Sequence, residues 1–234
     1  MNINSRLYDT IESNPNIKDK TWFNQNLKFA ESIYKVYDVD YNYDNLLEII
    51  KKIKIVETNE DEDIHYEKDT NTLVLGKMEE NKEFKLCKSF LEITSQGFDK
   101  KNNSYTSGII YKDEEGNELG KRINEILINE LIVINTGLSI DNVEELISIN
   151  PLDTVIKDIL SITGSNNLIT YFAFGQGEIL FEQISSVIGH DNTKQFYKSV
   201  DNYEKNPTLN KILYDLCINA LLNSKEINNT TPKM

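Results

Sequence analysis

Apolar residues recur at helical spacing along most of this chain and alternate with polar ones in one early stretch. Over residues 18–37, Trp22, Phe23, Leu27, Ala30, Ile33 and Tyr34 fall on one helical face. Residues 1–16 are polar and predict loose order, with Leu7, Tyr8 and Ile11 available for local packing. A Tyr- and Asp-rich connection over 38–44 leads to a second helix, 45–52, with Asp44 as its cap and Leu46, Leu47, Ile49 and Ile50 inward.

The period then changes. Residues 54–57, 64–67 and 72–76 read as strands, the last two joined by Lys68-Asp69-Thr70-Asn71, where Asp and Asn bond their own backbone in a turn. Helical spacing returns over 81–96 through Phe84, Cys87, Phe90, Leu91 and Ile93, with Gly97 as the terminating cap. Residues 99–116 read as a long irregular segment around the apolar Gly108-Ile109-Ile110-Tyr111, and residues 113–117 as a turn. A strong helix is predicted over 118–135 with Gly137 after it. Further helices follow over 141–149, 153–162, 168–188, 193–203 and 209–223, broken by Asn150-Pro151 and Gly164-Ser165-Asn166.

This order predicts one α+β domain over 1–234. It has an N-terminal helical segment, 1–52, and a core, 53–136, with a small antiparallel or mixed sheet of about three strands packed by helices. A mostly helical C-terminal half follows, with a helical subdomain at 137–223 and a polar tail at 224–234. No Gly-, Pro- or Ser-rich linker divides the chain.

A formal net charge of −13 repels phosphate backbones and anionic lipid surfaces, so neither nucleic acid nor membrane is expected as a partner. No apolar run approaches the ~18 residues needed to span a bilayer. The longest, 126–134, is interrupted by Asn129 and Glu130. The first residues lack a basic region followed by an apolar one, so no signal peptide is expected. Cys87 and Cys217 sit in apolar helical patterns and suit buried, reduced thiols, although a disulfide between them stays open. A cytoplasmic location is the expectation.

Three stretches carry a resemblance. The strands at 64–67 and 69–75 precede the helix Lys88-Ser89-Phe90-Leu91-Glu92-Ile93-Thr94-Ser95; a loop holds Thr106-Ser107-Gly108; a second helix reads Gly120-Lys121-Arg122-Ile123-Asn124-Glu125-Ile126-Leu127. In this order they resemble bacterial zincin-like metallopeptidase homologues, over roughly residues 53–135. In that family two histidines at i and i+4 ligate zinc, the glutamate between them activates the bound water, and a second-helix glutamate completes the site. Here Lys88 and Glu92 stand at the histidine positions and Ser89 at the base; Glu125 remains, beside Asn124. The resemblance therefore implies a zincin-like fold with no catalytic residues and no metal. It also implies an inherited cleft between the Lys88–Glu92 helix, the Asn124–Glu125 helix and the strand 72–76. In place of the metal, the Lys88 ammonium is expected to pair with Glu125, Glu92 or both. The alternative is an ordinary solvated i, i+4 pair of Lys88 with Glu92.

Other chemistry carries less. His65 and His190 read as surface or cap histidines, His190 at a helix end; a Cys87 nucleophile served by His65 has no third group behind it. Glu57, Glu60, Asp61, Glu62 and Asp63 lack the spacing of a calcium loop and read as a solvated turn. Gly175-x-Gly177 follows no strand and reads as a helix break or as packing against an aromatic cluster. The tyrosines of 34–43 read as the rim of a core. The function expected is binding of a protein or peptide partner, with no cofactor. The alternatives are a carboxylate-ligated metal hydrolase using Glu92, Glu125 and Glu130, and a structural or regulatory helical protein.

Overall fold

The computed structural model describes residues 3–40, 42–59, 61–77, 81–99, 104–137 and 155–208, and beyond these 211, 214, 215, 218 and 219. Helix α1 spans Ile3–Ser13, α2 Lys20–Val36 and α3 Tyr43–Lys52. Strands β1 (Lys54–Glu57), β2 (His65–Glu67) and β3 (Thr72–Leu75) precede α4, Lys82–Thr94. Two short pairs follow: β4 (Gln96–Asp99) with β5 (Ser104–Ser107), and β6 (Tyr111–Lys112) with β7 (Glu118–Leu119). Helices α5 (Lys121–Thr136), α6 (Val155–Thr163), α7 (Ser165–Ala173), α8 (Gly177–Ile188) and α9 (His190–Asp201) complete the described architecture. The fold is α+β. The predicted helices at 141–149 and the thiol of Cys217 lie outside the described residues, as does most of 209–223.

The three-stranded sheet is mixed, in the order β1-β3-β2. β1 runs parallel to β3 with Lys54 opposite Thr72; β2 runs antiparallel with Tyr66 opposite Leu73. Thr72, Leu73 and Val74 are all buried, as a central strand between two covered faces requires. The turn before β3 places Asn71 in the left-handed region, φ 51°, where Asn is tolerated. Its side-chain amide donates to Ile49 O at 2.9 Å, which ties the hairpin to the end of α3.

Several sequence expectations change here. Residues 3–16 are not loose: α1 buries Leu7 and Ile11 and packs on α3, while Tyr8 stays exposed. Asn42, not Asp44, caps α3, accepting from Asn45 N. Gly97 is not the cap of α4. That helix ends at Thr94 with Ser95 as its cap, and Gly97 lies in β4, where the backbone of Phe174 and Gly175 crosses it and leaves no room for a side chain: a Cβ there would sit 2.4 Å from Phe174 O. Residues 118–119 pair as a strand rather than opening α5, which Gly137 closes at φ 64° as expected. The predicted helix 168–188 breaks at Phe174-Gly175-Gln176, and His190 begins α9 rather than ending a helix. Tyr34 is no rim residue: it is fully buried and its hydroxyl bonds Thr94 Oγ1 at 2.9 Å.

One cluster of buried apolar side chains runs through the described residues from Leu7 to Ile218. Phe90 anchors it on α4, meeting Phe23 and Trp22 of α2 edge-on, with ring centres 5.2 and 5.9 Å away. That packing fixes one side of α4. Its other sides rest on β2 and α5.

Candidate functional site

On α4, Lys88 and Glu92 are one turn apart and share a face. On α5, Glu125 and Asn129 do the same. The packing of α4 on α5 brings these rows together around a cavity of about 360 Å³. Its walls are His65 and Tyr66 of β2, Phe84, Lys85, Lys88, Ser89 and Glu92 of α4, and Asn129 of α5. The flanking strand is therefore β2. Residues 72–76 form the middle strand, away from α4, and do not line the cavity as the sequence reading expected.

Lys88 Nζ donates to Glu125 Oε1 at 2.9 Å. Arg122 Nη1 donates to the other carboxylate oxygen at 2.8 Å, and its second nitrogen lies 3.5 Å from Glu204. Burial opposes the charge on Glu125, but Lys88 and Arg122 outweigh it and hold the carboxyl below its ordinary range. The pair is half-buried, at 30% and 31% side-chain exposure, so water screens it only in part. Glu125 lines not this cavity but a second one of about 410 Å³, with Glu118, Arg122, Asp201 and Glu204, so the ion pair links the walls of the two spaces.

Lys88 thus pairs across helices rather than along its own. Glu92 is left without a hydrogen bond or close ion-pair partner among the described residues. Burial pushes its carboxyl up to about 7; Lys88 opposes the shift at longer range and Glu125 adds to it. Ser89 is buried and donates to Lys85 O at 2.9 Å, which satisfies it within the helix. Asn124 turns the other way. Its Oδ1 accepts from Ile109 N at 2.9 Å and closes on Gly108, whose φ of 55° and missing Cβ admit it. The predicted loop and Asn124 do meet, and the contact is structural.

Asn129 is the residue the sequence reading passed over, as a polar break in an apolar run. It is 4% exposed, lies at the cavity wall, and its amide oxygen accepts no hydrogen bond. The sequence shows only that Asn129 is four residues after Glu125; the packing of α5 is what buries it.

The remaining candidates separate. Cys87 lines a different cavity, with Gln25, Phe29 and Thr136, away from the cavity of His65. Burial pushes its thiol up to about 11, against a reactive thiolate. Asp63 binds Lys85 at 2.6 Å, and Glu62 and Glu67 flank His65 at 3.9 and 3.8 Å; Glu60 lies outside the described residues. Gly175 and Gly177 are backbone contacts: a Cβ on them would lie 2.2 Å from Gly97 N and 2.1 Å from Ile110 O. The helix does break there, between Ala173 and Gly177, which is one of the two readings the sequence offered.

Zinc does not fit these residues. Among the described residues no three His, Cys, Asp or Glu side chains converge on one point, and an ammonium occupies Glu125. Glu92, Glu125 and Glu130 do not assemble as ligands either, since Glu130 lines neither cavity around α4 and α5. No family model, curated protein or solved structure matches the chain. Among the described residues, no helix is long and apolar enough to cross a membrane.

Proposed function

We propose that this chain is a non-catalytic, zincin-like protein that works by holding a protein or peptide partner in the cavity between β2, α4 and α5. The observation that carries this reading is the Lys88–Glu125 ion pair. It puts a fixed cation at one of the positions where the resemblance expects a zinc-binding histidine, and against the glutamate that would complete the metal's shell. A bound water there has nothing to ionise it, and Ser89, in the place of the base, spends its proton on Lys85 O. A concave space of this size with convergent polar groups suits recognition, since small-ligand and side-chain pockets span about 300–1,000 Å³.

Two measurements test it. Metal analysis of the purified chain after exposure to zinc is expected to find no stoichiometric ion; one zinc per chain would overturn the non-catalytic reading. Panning of a random-peptide library is expected to return peptides that bind the wild type and not His65→Trp, which fills the cavity from its rim. Peptides that bind both equally would place recognition elsewhere and sink the cavity reading.

A further inference from the structure

Two carboxyls stand within reach of one lysine. Lys88 Nζ and Arg122 Nη1 each take one oxygen of Glu125, at 2.9 and 2.8 Å. Glu92 lies one turn beyond Lys88 on the same face of α4, and both side chains line the cavity beside β2. The charged and titratable groups that face Glu92 are Lys88 on its own helix, Glu125 of α5, His65 and Tyr66 of β2, and Lys68 in the turn after β2. Lys68 is bound to Glu118, and His65 stands 3.9 and 3.8 Å from Glu62 and Glu67. Lys85, on the same wall, is bound to Asp63 at 2.6 Å. Of the charges around Glu92, Lys88 acts on it most strongly and Lys68 least.

We propose that Lys88 works as a proton-operated switch between two carboxyls: it stays on Glu125 while Glu92 carries a proton and turns to Glu92 when that proton leaves. A neutral carboxyl gives an ammonium no charge to pair with, whereas a half-buried carboxylate is costly until it is paired. The lysine stem is flexible and its ammonium donates in three directions, which suits it to two acceptors in turn. Arg122 keeps the exchange from stranding a charge. It projects from α5 three residues before Glu125, so that carboxylate retains one cation when Lys88 leaves. Burial lifts the Glu92 carboxyl to about 7, which sets the exchange in the neutral range. An ion pair between α4 and α5 thereby becomes one along α4, at the wall of the cavity. Residue 88 is a bound ammonium in both states and offers no metal ligand. The switch operates in the chain alone, whether or not a peptide enters the cavity.

The test is a pair of crystal structures of the full chain, at about pH 5.5 and pH 8.5, with NMR of the glutamate carboxyl carbons between them. Lys88 Nζ is expected on Glu125 in the acidic crystal and on Glu92 in the alkaline one, with Arg122 on Glu125 in both. In solution the Glu125 carboxyl carbon should shift at the midpoint of Glu92, as it loses one cation. Lys88→Met separates the switch from the bare field of the new charge. In that variant the Glu125 shift should fall at least about twofold, and the Glu92 midpoint should rise by at least about 0.5 in pH, since the cation that lowers it is gone. Glu92→Gln, close in shape to the protonated side chain, should keep Lys88 on Glu125 in both crystals. Lys88 on the same carboxyl in both wild-type structures, or an undiminished Glu125 shift in Lys88→Met, would overturn the switch. Either result leaves the peptide-binding reading standing, and a peptide screen that fails leaves the switch standing.

Discussion

Burial holds the carboxyl of Glu92 near 7, so this side chain changes charge in the neutral range. The folded value lies above the ordinary one. Its contribution to stability is therefore fully present below the unfolded pKa and is lost as pH rises through about 7. Glu92→Gln is expected to match the wild type near pH 4 and to exceed it at pH 8 by about 1–3 kcal/mol in urea unfolding. Equal stability at pH 8 would show that the carboxylate is already solvated or paired. Asn124 makes the contrasting case. Asn124→Ala orphans the buried Ile109 N–H and is expected to cost about 1–3 kcal/mol in a thermal melt. It should leave any binding in the cavity unchanged, because its amide faces the 107–110 loop. Of the candidate site, the Lys88–Glu125 contact was legible once the two helices were aligned by the resemblance. The orphaned oxygen of Asn129 was not, because only the packing of α5 on α4 decides that its face is closed.

Among the elements, those set by local spacing were readable and those set by distant backbone were not. β1 was predicted residue for residue, and α2, α4 and α5 to within a few residues, because each carries its own apolar period. β4 to β7 are two to four residues long and exist through pairings that no alternation announces. The same holds for Gly97. Its reason is the chain crossing at Phe174 and Gly175, far along the sequence, where Thr106 Oγ1 also donates to Gly175 O at 2.7 Å. Gly97→Ala is expected to destabilise by about 1–3 kcal/mol, since the obstructing atoms are backbone and cannot swing aside. A neutral result in urea unfolding would mean that the crossing yields. Across α4 and α5, Lys88→Met removes one of the two cations on Glu125 and leaves Arg122 in place. Its expected cost is about 1 kcal/mol, falling with added salt.

At the scale of the whole molecule, the sequence pattern carried the class, a small mixed sheet enclosed by helices, because the change of period from helical to alternating and back is local. How the helical half is fastened to the core was not readable, because it depends on long-range contacts that no local pattern announces: Thr106 on Gly175, Tyr111 stacked on Phe181, and a cap at the start of α5. Asp201, the last residue of α9, accepts from Gly120 N at 2.7 Å and Arg122 N at 2.9 Å, at the open N-terminus of α5. Burial raises its carboxyl above the ordinary value against the pull of those two bonds. Asp201→Ala is expected to cost about 1–2 kcal/mol, the range of a lost helix cap.

The same bond couples two parts of the chain in time. The amides of Gly120 and Arg122 are closed by a carboxylate some 80 residues away in sequence. They exchange with solvent only when the end of α9 lifts or α5 frays. In hydrogen–deuterium exchange, the first turn of α5 should then share the opening free energy of α9, while the mid-helix amides around Asn129 follow the core. Asp201→Ala should separate the two rates. Arg122, whose amide takes this cap, also holds Glu125 through its guanidinium, so the cap and the ion pair meet on one residue.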